Sequence, residues 1–115
     1  MSFYRAPLNN PALRQFKVYN NISSLMPIVR KLSPMARRIV LFGSCASGTN
    51  TDNSDIDIFL ISAEKERLRR ILDDYPKIQA IIKSGVEWAE LSKKDKPFYD
   101  RVSRGIVLWE TEEEG

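Results

Sequence analysis

Histidine is absent from this sequence, and cysteine occurs once, at Cys45. Without histidine, Ser-His and Cys-His nucleophilic catalysis are excluded, and proton transfer falls to carboxylates, lysine, tyrosine or metal-bound water. A lone cysteine makes no internal disulfide, and with no histidine to join it a zinc site is not expected. Apolar runs extend over only a few residues. They are too short to cross a bilayer or to act as a signal peptide, so a soluble cytoplasmic protein is expected.

What remains is ordinary globular material, 43% apolar and 29% charged, in which a disordered reading finds no support. A chain of 115 residues makes one domain, 1–115, that buries roughly two-thirds of its unfolded surface. The net charge of +3 hides an asymmetry, because Glu110, Glu112, Glu113 and Glu114 crowd into an acidic tail, 110–115. Ahead of that tail 18 basic residues face 11 acidic ones, a balance of +7. A basic body suits an anionic ligand such as a nucleotide or RNA, and is equally what solvated surface lysines produce.

Residues 1–34 form an N-terminal helical segment. Asn10-Pro11 offers an N-cap with proline at the first helical position, and Leu13, Phe16, Tyr19, Ile22, Leu25, Val29 and Leu32 recur at helical spacing. Pro27 either kinks one long helix or opens a second one capped by Ser23 or Ser24, and Ser33-Pro34 stops the pattern. "RIVLF" at 38–42 reads as a buried strand, "GTNTDNS" at 48–54 as a loop, and 55–61 as the next strand. Ser62 caps a predicted helix over roughly 63–74, with Glu64 and Glu66 in its first turn, and Pro76 ends it.

"KIQAIIKS" reads as a third strand, after which Ser84 and Glu87 make a capping box for a helix carrying Trp88 and Leu91. Asp95 and Pro97 start another helix with Phe98 and Val102 on its apolar side, Gly105 closes it, and "IVLWE" is the last strand. The order predicts an α+β fold, a small mixed β-sheet with helices packed on it. Trp88 and Trp109 read as core or partner-facing anchors, and Arg67, Arg69 and Arg70 as a solvated helix face. Cys45 lies near a helix start that would favour thiolate, but no basic residue adjoins it in sequence.

Two aspartates, Asp55 and Asp57, stand inside "SDIDIFLI", and charged side chains are rarely buried unless paired or bound to metal. Two apart on a strand, they leave the same face while Ile56 and Ile58 enter the core on the other. At roughly 7 Å between alternate residues they repel unless a cation lies between them, and such hard oxygen ligands suit Mg²⁺ shared with phosphate oxygens. Gly43-Ser44 directly follows the first strand. A short helix starting there would aim unpaired backbone N–H groups outward beside the serine hydroxyl, an arrangement that holds phosphate, with Gly43 allowing close approach of the ligand and Gly48 serving the turn out.

Gly-Ser-x10-Asp-Ile-Asp with apolar runs at both ends resembles the nucleotidyltransferase signature of the DNA polymerase beta superfamily, closely over residues 39–61. The ending "FYDRVSRGIVLWE" is similar to the last helix and strand of prokaryotic minimal nucleotidyltransferases. The resemblance implies that Gly43 and Ser44 hold the triphosphate of a nucleoside triphosphate such as ATP. It further implies that Asp55 and Asp57 bind catalytic Mg²⁺ (or Mn²⁺). The activity it implies is transfer of a nucleoside monophosphate to a hydroxyl of a protein partner or RNA, with pyrophosphate leaving. Proteins of this kind are often paired with a HEPN-domain toxin, against which the nucleotidyltransferase acts as antitoxin.

Two departures accompany the resemblance. The family usually supplies a third carboxylate from the next strand, where this chain aligns Gln79, an amide that neither accepts a proton nor carries charge to a metal. Arginines common in the signature are replaced near Cys45 and Ser47. The alternative is therefore a non-catalytic module of the same fold that binds nucleotide or masks its partner. A chain this small leaves little room for an acceptor-binding domain, so the acceptor is expected at an interface, through the N-terminal helix or the tryptophans.

Overall fold

The chain starts its first helix where a cap is available. In the computed structural model, which describes residues 10–111, Asn10 Oδ1 accepts from the backbone N–H groups of Ala12 and Leu13 at 2.9 and 3.2 Å. Helix α1 runs Pro11–Leu32 with Pro27 inside it, so the one-helix reading of Pro27 holds. A proline there removes one helical hydrogen bond, and burial of Leu25, Ile28, Val29 and Leu32 around it offsets the loss. Pro34 follows in a 3₁₀ turn, Ser33–Met35.

Four strands make one mixed sheet in the order β3-β2-β1-β4: β1 Arg38–Phe42, β2 Ile56–Ile61, β3 Ile78–Lys83 and β4 Ile106–Glu110. β1 pairs antiparallel with both β2 and β4, and β2 pairs parallel with β3. Antiparallel neighbours need only a turn, whereas the parallel pair requires a crossover, and helix α3, Lys65–Leu72, provides it. The α+β expectation of a small mixed sheet with helices packed on it is met.

Both sheet faces are covered, which is why β1 and β2 read as unbroken apolar runs. Ile39, Leu41, Ile58 and Leu60 join α1 and α3 side chains, among them Ile28, Leu32, Leu68 and Leu72, in one core. Val40, Phe42, Phe59 and Ile61 face helices α4, Gly85–Lys94, and α5, Lys96–Ser103, through Trp88, Leu91, Phe98 and Val102. Aromatic packing concentrates there: Phe59 lies 4.9 Å from Trp88 and 5.9 Å from Phe98, and Trp88 stacks on Tyr99 at 4.3 Å. Trp88 thus packs, partly buried, against the second core, while Trp109 sits partly exposed on the edge strand with its indole N–H on the Ala36 carbonyl.

Three local expectations change. β2 starts at Ile56, leaving Asp55 just ahead of it. α3 is shorter than 63–74, and Glu64 precedes its first turn and pairs with Arg67. Ser62 is buried and bridges the Met35 carbonyl and the Glu64 amide, so it ties the helix entry to the 3₁₀ turn instead of capping α3 directly. The acidic tail beyond Thr111 and the first nine residues lie outside the described residues.

Candidate active site

β1 delivers the chain into a turn that only glycine adopts readily. Gly43 has φ 74° and ψ −154° and serves as the N-cap of α2, Ser44–Ser47, which Gly48 ends at φ 77°. That region of φ/ψ costs other residues about 1–3 kcal/mol. A Cβ at Gly43 would collide with Asp57 Oδ2. The glycine therefore makes room for a carboxylate of the chain itself, in addition to any ligand. At Gly48 a Cβ would collide with the Arg14 carbonyl, which is how the turn seats against α1. Ala46 and Ser47 donate backbone N–H groups to the Gly43 carbonyl, so the amides of Ser44 and Cys45 are the first-turn donors without a helical acceptor.

Asp57 stands on the same rung as Phe42 of β1 and Gln79 of β3. Register partners share a face, so Gln79 occupies the position on β3 that looks over the same side of the sheet as Asp57. Asp55 is exposed immediately before β2. Burial pushes the Asp57 carboxyl up from its ordinary value; the Arg101 guanidinium opposes this and the charge of Asp55 adds to it. Two like charges that feel one another are a natural place for a cation. Mg²⁺ is held in nucleotide sites by one or two carboxylates plus substrate phosphates, and the two carboxylates of Asp55 and Asp57 fit that donor set. Among the described residues no group of three or more acidic, cysteine or histidine ligands gathers.

Cys45 is not the activated thiol that a helix start would favour. Burial pushes its thiol up, the Asp57 charge pushes the same way, and Sγ lies 3.8 Å from the Asp55 carbonyl. Glu87 closes the capping box of α4 with Ser84. A hydrogen bond from Lys65 and one from the Ser84 amide lower it to about 2. β3 separates it from the Asp57 rung: Gln79 is at one end of that strand and Ser84 beyond the other, roughly 15 Å along the sheet. Glu87 therefore supplies no third carboxylate.

Sequence reasoning missed Arg101 and Arg104. They line a cleft of about 280 Å³ with Phe42, Gly43, Ala46 and Ser47, and the Arg101 guanidinium sits 5.6 Å from the Phe42 ring centre. The i,i+3 spacing of the two arginines before Gly105 was visible, but only the packing of α5 on the Phe42 face brings them to Gly43. Lys17 and Asn21 were also missed: from α1 they hold the Asn50 carbonyl and the Cys45 carbonyl, each at 2.9 Å, and so brace the turn and the loop after it.

A family model described as "Polymerase beta, Nucleotidyltransferase" matches residues 15–114, and the chain belongs to that nucleotidyltransferase family. Solved structures resemble it as well, among them the following two. A protein from Sulfolobus solfataricus described as a candidate nucleotidyltransferase aligns with a TM-score of 0.50 and 19% identity over 97% of this chain and 96% of that one, a likeness of fold. A toxin-antitoxin structure with AMP-PNP aligns with a TM-score of 0.51 and 25% identity over 80% of this chain and 75% of that one. A search of curated proteins gives no match.

Proposed function

We propose that the protein is an Mg²⁺-dependent nucleotidyltransferase that moves a nucleoside monophosphate from a nucleoside triphosphate, ATP first among the candidates, onto a hydroxyl of a protein partner or an RNA. The observation that supports this reading is the closeness of Asp57 to the Gly43 turn, where a Cβ on the glycine would meet its carboxylate, together with the Asp55 charge that Asp57 feels. Ser44 Oγ and the free first-turn amides bind phosphate oxygens. Asp55 and Asp57 would hold Mg²⁺ (or Mn²⁺), which when bound supplies charge neutralisation on the phosphates and a more acidic acceptor hydroxyl. The acceptor oxygen bonds to the α-phosphorus, the bond to the bridging oxygen breaks, and pyrophosphate leaves with the electron pair. The released proton goes to solvent, because the Gln79 amide cannot take it.

The toxin-antitoxin neighbour supports an antitoxin role, and a HEPN-type toxin is the partner we propose. Phe16 and Tyr19, 61% and 68% exposed on α1, give such a partner apolar anchors. A second reading, a nucleotide-binding masking module without catalysis, is favoured by Gln79 lying in register with Asp57. Incubation with labelled nucleotides, Mg²⁺ and a candidate acceptor separates the two. We expect labelled product that disappears in Asp55→Asn/Asp57→Asn and increases in Gln79→Glu, up to about 10²-fold or more if the acid acts as a general base. Nucleotide binding without product in wild type and Gln79→Glu alike would establish the masking module instead.

A further inference from the structure

Arg101 on α5 and Arg104 at its C-cap stand three residues apart and face the Gly43 turn across the cleft. Among the described residues neither forms an ion pair with a carboxylate. Arg101 is steered by the Phe42 ring beneath its guanidinium, a contact that costs the fork none of its donors. Across from the arginines the turn presents Gly43, Ala46 and Ser47 to the cleft. The Asp57 carboxylate on β2 approaches the same turn, and Asp55 stands just ahead of that strand. The turn thus has Asp57 of β2 on one side and Arg101 and Arg104, at the end of α5, on the other.

We infer that Arg101 and Arg104 hold the terminal phosphates of the nucleoside triphosphate and receive the pyrophosphate when it leaves, an assignment that rests on the nucleotidyl-transfer reading above. The cleft, about 280 Å³ and lined on one side by two cations, has room for a diphosphate group. The chemistry agrees as well. As the α-phosphorus bond to the bridging oxygen breaks, negative charge collects on the departing diphosphate, and arginine forks bind such oxygens in bidentate fashion. Asp55 and Asp57 would hold the metal, while the arginines take the end of the chain that departs. Arg101 and Arg104 thereby set a preference for triphosphate over monophosphate.

The test compares affinity for Mg²⁺-ATP and Mg²⁺-AMP in wild type, Arg101→Gln, Arg104→Gln and Arg101→Lys. Each Gln variant should lose about tenfold or more in ATP affinity, the value of a hydrogen bond to a charged group, and keep the AMP affinity of wild type. Arg101→Lys retains the charge and the stem over Phe42, so it guards against misfolding and should fall between. Wild-type ATP affinity in both Gln variants, or an equal loss for ATP and AMP, would overturn the assignment and leave the nucleotidyltransferase reading standing. Failure of wild type to bind Mg²⁺-ATP would overturn both.

Discussion

Asp57 carries a charge that folding by itself disfavours, because burial and the neighbouring Asp55 both push its carboxyl above the ordinary 3.8. The folded chain then binds more proton than the unfolded one in the interval above that value. With the unfolded state binding fewer protons, stability falls as pH rises through the interval, and the penalty is fully present at neutral pH. Asp57→Asn is expected to raise Tm in metal-free buffer at about pH 7, and the gain should shrink as the pH is lowered below the ordinary carboxylate range. Thermal melts of both proteins across pH check this. A Tm that drops in the variant at neutral pH would mean that Arg101 outweighs burial. In the proposed site Asp57 would serve function at a cost to the fold, a common trade in enzymes, and Gly43, a position strained for any other residue, is its backbone counterpart.

Helices α4 and α5 form the layer that carries the arginines, and α4 depends on its first turn. Ser84→Ala should cost about 1 kcal/mol by removing the cap. Glu87, lowered to about 2 from an ordinary 4.5, contributes stability that is present above 4.5 and is lost as pH falls toward 2. Glu87→Gln should therefore flatten the acid limb of the stability curve over that interval, and unchanged acid unfolding would show that Lys65 and Ser84 do not hold the carboxylate in solution. The capping box, the strands and the helix starts were legible because they depend on residues close in sequence: Asn10-Pro11, Ser84 with Glu87, Asp95 with Pro97. The Gly43-Ser44 turn and the carboxylate pair were legible for the same reason. Arg101, Lys17 and the buried bridge made by Ser62 were not, since each reaches a partner tens of residues away. Pro27 was ambiguous because tertiary burial of its flanks, not local propensity, decides that α1 continues.

At the scale of the whole molecule, the proposed site occupies one end of a sheet whose two central strands are buried on both faces over Ile39–Phe42 and Ile58–Ile61. Ligand that binds only the native chain stabilises all of it, by about 2.7 kcal/mol at a hundred times Kd. For a domain of this size that is a Tm rise of about 10 °C. We expect such a rise with saturating Mg²⁺ and ATP, and little response in Asp55→Asn/Asp57→Asn; equal rises in both proteins would remove the metal from these aspartates. The two-sided burial of β2 also governs which changes of length the gene can survive. Residues 51–53 are exposed in a loop, where insertions are tolerated at small entropic cost. Loss of Ile56 alone would be different. With Ile58 and Leu60 kept in place, Asp55 would slide into the position of Ile56 and turn toward the apolar layer under α1. Around β2, length variation among descendants of this chain is thereby confined to the loop ahead of the carboxylates, and the aspartate pair can be reached by substitution but not by a one-residue slip.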